Sequence, residues 1–237
     1  MKEQEIRRVF DSVSSRYAGT KWVVCKLDFS QYRDEGYNYA LLMYVPLDEI
    51  MDLDNYDEEN QNQIQMRNFP LAREIKETLV EECQRAGIKL HIPPISVDHM
   101  TPPYITPLSV KEIGVKGGVG WIGKNDLLVT FEYGTHITTI GAVFYADEFT
   151  VGEPVTESRC GDCDLCVKAC PYHNIYGNEW GPGVTRDDLV DYHKCSLVRF
   201  QIAEKTNLGR KVTCARCVLA CPVGLENVEK VIHENRR

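Results

Sequence analysis

The chain has 237 residues and carries 27 Lys+Arg against 35 Asp+Glu, a formal net charge of -8. Hydrophobic residues make up 43% and charged residues 26%, a balance that excludes a disordered chain and allows one sizeable core plus a small second module. Bulk negative charge predicts no nucleic-acid surface. No run is apolar enough to span a bilayer, and the opening MKEQEIRRVF lacks the apolar centre of a secretory signal, so a cytoplasmic protein is expected.

In chain order, Ile6, Val9, Phe10, Val13 and Tyr17 fall at helical spacing. Lys21 to Phe29 and Tyr39 to Leu47 read as strands, the second buried on both faces. Residues 48–62 are acidic and Asn-rich and read as a surface loop. Pro70 is expected in the first turn of a helix that runs to about Ala86 and stops at Gly87, with Leu71, Ile75, Leu79 and Cys83 turned inward. A short strand, Lys89 to Ile92, follows, and Leu108 to Lys116 is helical in pattern. Residues 126–133 and 136–146 are expected to form a hairpin around Tyr133, Gly134 and Thr135. This mixture predicts an α+β fold for a front domain over 1–155. From 156 to 237 the apolar periodicity fades, leaving short helical pieces at Asp187–Ala203 and Leu225–His233.

The abnormal count is cysteine: ten in all, eight of them after residue 159. In a reducing compartment, crowded cysteines are metal ligands more often than disulfides. Cys160, Cys163, Cys166 and Cys170-Pro171 form C-x2-C-x2-C-x3-C-P, the spacing of bacterial [4Fe–4S] sites. Cys214, Cys217 and Cys221-Pro222 repeat the last three positions, and Cys195 is the candidate for the missing leading one. A cubane needs four thiolates, and in two-cluster ferredoxins the Cys before Pro serves the other cluster. The first cluster is therefore assigned Cys160, Cys163, Cys166 and Cys221, and the second Cys170, Cys195, Cys214 and Cys217. Zinc is the competing reading, but zinc sites have no reason to repeat a C-x3-C-P tail. Cys25 and Cys83 read as plain buried thiols.

Residues 114–125 are rich in glycine and match two phosphate-binding patterns by spacing alone. Both patterns require a strand before and a helix after, and the order here is reversed. Asn125 also stands where the phosphate loop needs a hydroxyl. Two readings stay open: a helix-to-strand turn, or a bare backbone loop against a bulky cofactor, with Trp121 and Lys124 as anchors.

The string Gly120-Trp121-Ile122-Gly123-Lys124-Asn125-Asp126-Leu127-Leu128, the expected hairpin after it and the order of the cysteine motifs resemble the epoxyqueuosine reductase family, relatives of the reductive dehalogenases. The likeness runs from about Pro94 to Leu225, and residues 1–93 match loosely. It implies a nitroreductase-like α/β sandwich that binds a corrinoid (cobalamin), followed by a ferredoxin-like module with two [4Fe–4S] clusters. It implies that Cys195 is a ligand and that Gly120, Trp121, Gly123 and Lys124 lie against the corrinoid. The family's catalytic acid sits in an Asp-x-x-Pro stretch, where this chain has Tyr104-Ile-Thr-Pro107. Tyr104 is thus the candidate proton donor, with Asp98 as a neighbouring substitute. The family's tRNA-holding helical tail has no counterpart after Cys221, so tRNA is not an expected substrate. The expected partners are a low-potential electron donor of ferredoxin or flavodoxin type and a small-molecule substrate. The implied function is an iron–sulfur reductase that passes single electrons through two clusters to a cofactor or substrate in the front domain. The alternatives are an electron carrier without its own catalysis, and epoxyqueuosine reduction in tRNA.

Overall fold

The structure, a computed structural model, describes residues 2–28, 31–94, 106–205 and 214–236. Its centre is strand β2 (Tyr39–Pro46), whose residues YALLMYVP are all buried. Such a strand needs partners on both edges and cover on both faces. The edges are taken by β1 (Lys21–Lys26) and β6 (Ile137–Phe144), and β3 (Leu90–His91) pairs with the far side of β6. All three pairings are antiparallel. The pleat sends Tyr39, Leu41, Met43 and Val45 into one apolar cluster and Ala40, Leu42 and Tyr44 into another.

Helices cover both faces. Helix α1 (Glu3–Ser14) places Ile6, Phe10 and Val13 on the first cluster, and α2 (Glu58–Arg85) adds Ile75, Leu79 and Cys83. Helix α3 (Val110–Lys116) brings Ile113 and Val115 to the second cluster. Each fully buried Leu or Ile in these layers contributes about 1.5–3 kcal/mol, so the sandwich is the stable frame of the molecule.

Three expectations change. First, α2 begins at Glu58, twelve residues before Pro70. Asp57 caps it by accepting the Asn60 N–H at 2.7 Å, and burial of Ile64, Ile75, Leu79 and Cys83 outweighs the bond that Pro70 cannot donate. Second, the two strands expected as one hairpin part company. Strand β5 (Leu128–Thr130) pairs with β4 (Gly120–Ile122) in a separate two-stranded sheet, while β6 joins the main one. Around Gly134 only an isolated Thr130–Gly134 bridge remains. Third, the last helix, α8 (Leu225–Asn235), returns to the front half: Val228 and Ile232 share a cluster with Leu42, Tyr44 and Tyr133. Its apolar face at i, i+4 needed cover that the cysteine region, poor in apolar residues, could not give.

Between these parts lie α4 (Leu165–Ala169), α5 (Arg186–Leu189), α6 (Tyr192–Lys205) and α7 (Arg216–Leu219). No helix among the described residues is long and apolar enough to cross a membrane.

Candidate metal centre

The two cysteine motifs fold alike. A loop holding Cys160 and Cys163 leads into α4, which carries Cys166 and ends at Cys170. Cys214 leads into α7, which carries Cys217, and Cys221 follows its last turn. The prolines after Cys170 and Cys221 stop each helix, since they can neither donate an N–H nor continue the turn. Helices α4 and α7 pack on each other. Cys195 enters on the first turn of α6, its N–H bonded to Asp191 O at 2.9 Å.

None of the eight cysteines is in a disulfide among the described residues; Cys163 is exposed and the other seven are half-buried. Burial pushes the Cys166 thiol up to about 11, and the neighbouring Cys160, Cys163 and Cys221 add to the rise. Burial raises Cys217 too, followed by Cys214, Cys195, Cys166 and Cys170. The electrostatic neighbours of Cys166 are thus the other three members of the first expected ligand set. Those of Cys217 include the other three members of the second, with Cys166 linking the two sets. Crowded thiols resist ionising together unless positive charge enters among them, which is what a thiolate-ligated metal core supplies. Among the described residues no three His, Cys, Asp or Glu side chains form a group suited to a single metal ion; a cubane is a larger body and spaces its ligands more widely. The donor chemistry therefore fits iron–sulfur cores.

Residues of the β4–β5 hairpin and the segment after it reach into these loops. The Trp121 indole N–H donates to Cys160 Sγ at 3.4 Å. Lys124, 8% exposed, places its ammonium on Gly161 O at 2.6 Å and Cys163 O at 3.1 Å. Asn125 Nδ2 donates to Cys217 O at 3.0 Å, and Thr135 Oγ1 to Val218 O at 2.9 Å. His136, fully buried, bonds Cys221 O through Nε2 at 2.8 Å. The carbonyl can only accept, which fixes the proton on Nε2 and leaves the buried Nδ1 without a partner. Burial holds the His136 pKa below the usual histidine range. Gly120 and Gly123 provide the close approach within this hairpin: a Cβ on Gly120 would strike the Val129 carbonyl.

A second clasp comes from the segment expected to be a surface loop, 48–62. Tyr56 accepts the Ala215 N–H at 3.2 Å, and the Arg216 guanidinium sits 3.9 Å over its ring. Glu58 lies 3.8 Å from Arg216. Burial, then Cys214, raises the Tyr56 pKa.

Beside the cysteine region lies a cavity of about 790 Å³. Cys25, Val115, Ile122, Trp180 and Leu189 form apolar walls, and Lys111, Glu112, Lys116, Asp28 and Asp126 lie along its polar side. Lys111 pairs with Asp126 at 2.6 Å and Lys116 with Asp28 at 2.6 Å. Burial raises the Glu112 carboxyl above its usual range, against the pull of Lys116. Tyr104 and Asp98 lie outside the described residues.

The residues that sequence reasoning missed are Asn125, Thr135, His136, Tyr56, Arg216 and Glu112. Only Glu112 carried a local signal, three residues after Ser109, which caps α3 by accepting its N–H at 3.2 Å.

The family described as a 4Fe-4S double cluster binding domain matches residues 159–224. An epoxyqueuosine reductase of Listeria monocytogenes is 39% identical over 123 residues, covering 48% of this chain and 29% of that protein. One of Vibrio cholerae is 23% identical over 171 residues, covering 68% and 43%. The chain thus matches less than half the length of these curated relatives. The fold is like that of an epoxyqueuosine reductase solved with an epoxyqueuosine-modified tRNA stem loop, with a TM-score of 0.60 at 14% identity over 97% of this chain and 68% of that one. It is also like that of a catabolic reductive dehalogenase, with a TM-score of 0.60 at 16% identity over 91% and 31%. The chain is therefore similar in sequence to epoxyqueuosine reductases over part of its length, carries a region that matches a 4Fe–4S double cluster binding domain, and has a fold like that of epoxyqueuosine reductases and reductive dehalogenases.

Proposed function

We propose that the protein is a reductase in which two [4Fe–4S] clusters relay single electrons to a centre in the cavity beside them. Cys160, Cys163, Cys166 and Cys221 hold the first cluster, and Cys170, Cys195, Cys214 and Cys217 the second. The observation that supports this reading is the crossed grouping: Cys160 and Cys221 are electrostatic neighbours of Cys166, and Cys170 is one of Cys217, as expected where each motif lends its last thiol to the other cluster. When bound, each cluster supplies one-electron transfer at low potential.

The chain's own residues do the remaining work. Lys124, Asn125, Thr135 and His136 hold the carbonyls of the cysteine loops and so orient the thiols around the bound clusters. A nitroreductase-like front domain, 1–155 with α8 returning to it, supports the cavity, and 156–224 forms the ferredoxin-like unit. The apolar walls at Val115, Ile122, Trp180 and Leu189 suit a flat organic cofactor, and a corrinoid is the group we assign there. Tyr104, with Asp98 as its substitute, donates the proton that accompanies reduction.

The decisive experiment is anaerobic purification with iron and cobalt counts and an absorption spectrum. About eight irons per chain with corrinoid bands support the reading. Zinc, or half that iron, overturns it. Full iron without corrinoid, even after corrinoid is offered, leaves an electron carrier instead.

A second reading is favoured by the relatives' names and by the neighbour solved with a tRNA stem loop. Those matches weaken the expectation that tRNA is excluded. Restoration of queuosine in a reductase-deficient strain would establish it; failure there, with corrinoid present, assigns a different substrate.

A further inference from the structure

We propose that Trp121 is a positioning residue that sets the potential of the first cluster. The inference rests on the reading of Cys160, Cys163, Cys166 and Cys221 as its ligands. Trp121 is 5% exposed and its only polar atom, Nε1, points at Cys160 Sγ from 3.4 Å. No hydrogen bond from the indole to any other group competes among the described residues. An indole is a donor only, so the bond has one direction. Its value differs between redox states: reduction adds one electron to the core, sulfur becomes more negative, and the N–H bond strengthens. The reduced state is favoured and the potential rises.

The surroundings hold the indole in place. Phe131 lies against it with ring centroids 5.5 Å apart, and the Arg159 guanidinium covers Phe131 at 4.7 Å. Strand pairing of Trp121 with Val129 fixes the backbone. Arg159, the residue adjoining Cys160, thus tops a stack of Phe131 and Trp121 that steadies the indole. The Trp121 indole bonds the sulfur of Cys160, and the Thr135 side chain also hydrogen-bonds the Cys221 thiol, whereas Lys124, Asn125 and His136 bond carbonyls. The indole therefore acts on electron density at the ligand, while its neighbours act on loop position.

The test is an anaerobic EPR redox titration of the wild type and Trp121→Phe, with iron counted in both. Loss of a bond of about 1 kcal/mol lowers the reduced-to-oxidised ratio of one cluster about fivefold at fixed potential, ~40 mV at ~59 mV per tenfold. The other cluster should keep its midpoint. Trp121→His, which retains an N–H, should recover part of the shift. Benzothienylalanine in place of tryptophan, which swaps the indole N–H for sulfur at nearly constant shape, serves if Trp121→Phe loses iron. An unchanged midpoint in the benzothienylalanine protein, with full iron, overturns the inference alone. A wild type that lacks two clusters overturns the reading beneath it.

Discussion

Single side chains divide into those that would bind iron and those that hold the binders still. For the first group the expected behaviour is crossed. Cys221→Ala should remove the first cluster, dropping iron from about eight to about four per chain. The EPR signal that remains should match that of Cys160→Ala and differ from that of Cys214→Ala; the opposite pairing would disprove the exchange of ligands. For the second group Lys124 is the test case. Its ammonium is enclosed and satisfied by two carbonyls of the first cysteine loop. Lys124→Met leaves those carbonyls without a donor and should cost about 2 kcal/mol, read as a lower midpoint in anaerobic urea unfolding and faster iron release. Cysteine spacing was legible because thiolate ligands recur at fixed steps. The supporting roles of Asn125, Thr135 and His136 were not, because each acts on a carbonyl about eighty or more residues away.

At the scale of elements, the hairpin β4–β5 and the turn after it form the joint between sandwich and cysteine region. Two left-handed glycines interlock there. A Cβ on Gly134 would strike the Val223 carbonyl, and one on Gly224 would meet Glu132 O and Tyr133 backbone. Gly134→Ala should therefore destabilise the protein by about 3 kcal/mol and loosen the first cluster, measured as a lower melting temperature with parallel loss of visible absorption. Gly161→Ala, also at positive φ but in open space, should cost less, since it adds only backbone strain. The long α2 shows where local rules gave way. Pro70 signals a helix start by itself, yet a capped N-terminus at Asp57 and burial of Ile64 carry the helix through it. Strand β5 was read correctly as a strand and wrongly as the partner of β6, because strand pairing depends on which neighbour covers it.

The whole molecule has two unequal sources of stability. The front sandwich buries large apolar side chains on both faces of β2. The cysteine region has a small apolar cluster, Ile175, Leu189 and Val190, with half-buried cysteines packed around it. Iron removal under anaerobic chelation should therefore release residues 160–224 while leaving the sheet intact. Hydrogen exchange should show lost protection in α4 and α7 and retained protection in β2 and β6; equal protection with and without iron would contradict this. Helix α8 should stay protected, since Val228 and Ile232 lie in the sandwich rather than in the cysteine region. Composition and spacing alone determined the metal chemistry, the mixed helix-and-sheet class and the doubly buried strand, because thiol spacing and apolar patterning are local properties that the chain carries wherever it folds. Only the tertiary structure decided which helix closes the second face, which strand β5 pairs with, and which polar groups clasp the cysteine loops. Those outcomes depend on what surface is left uncovered once the sandwich has formed, and no stretch of sequence contains that information by itself.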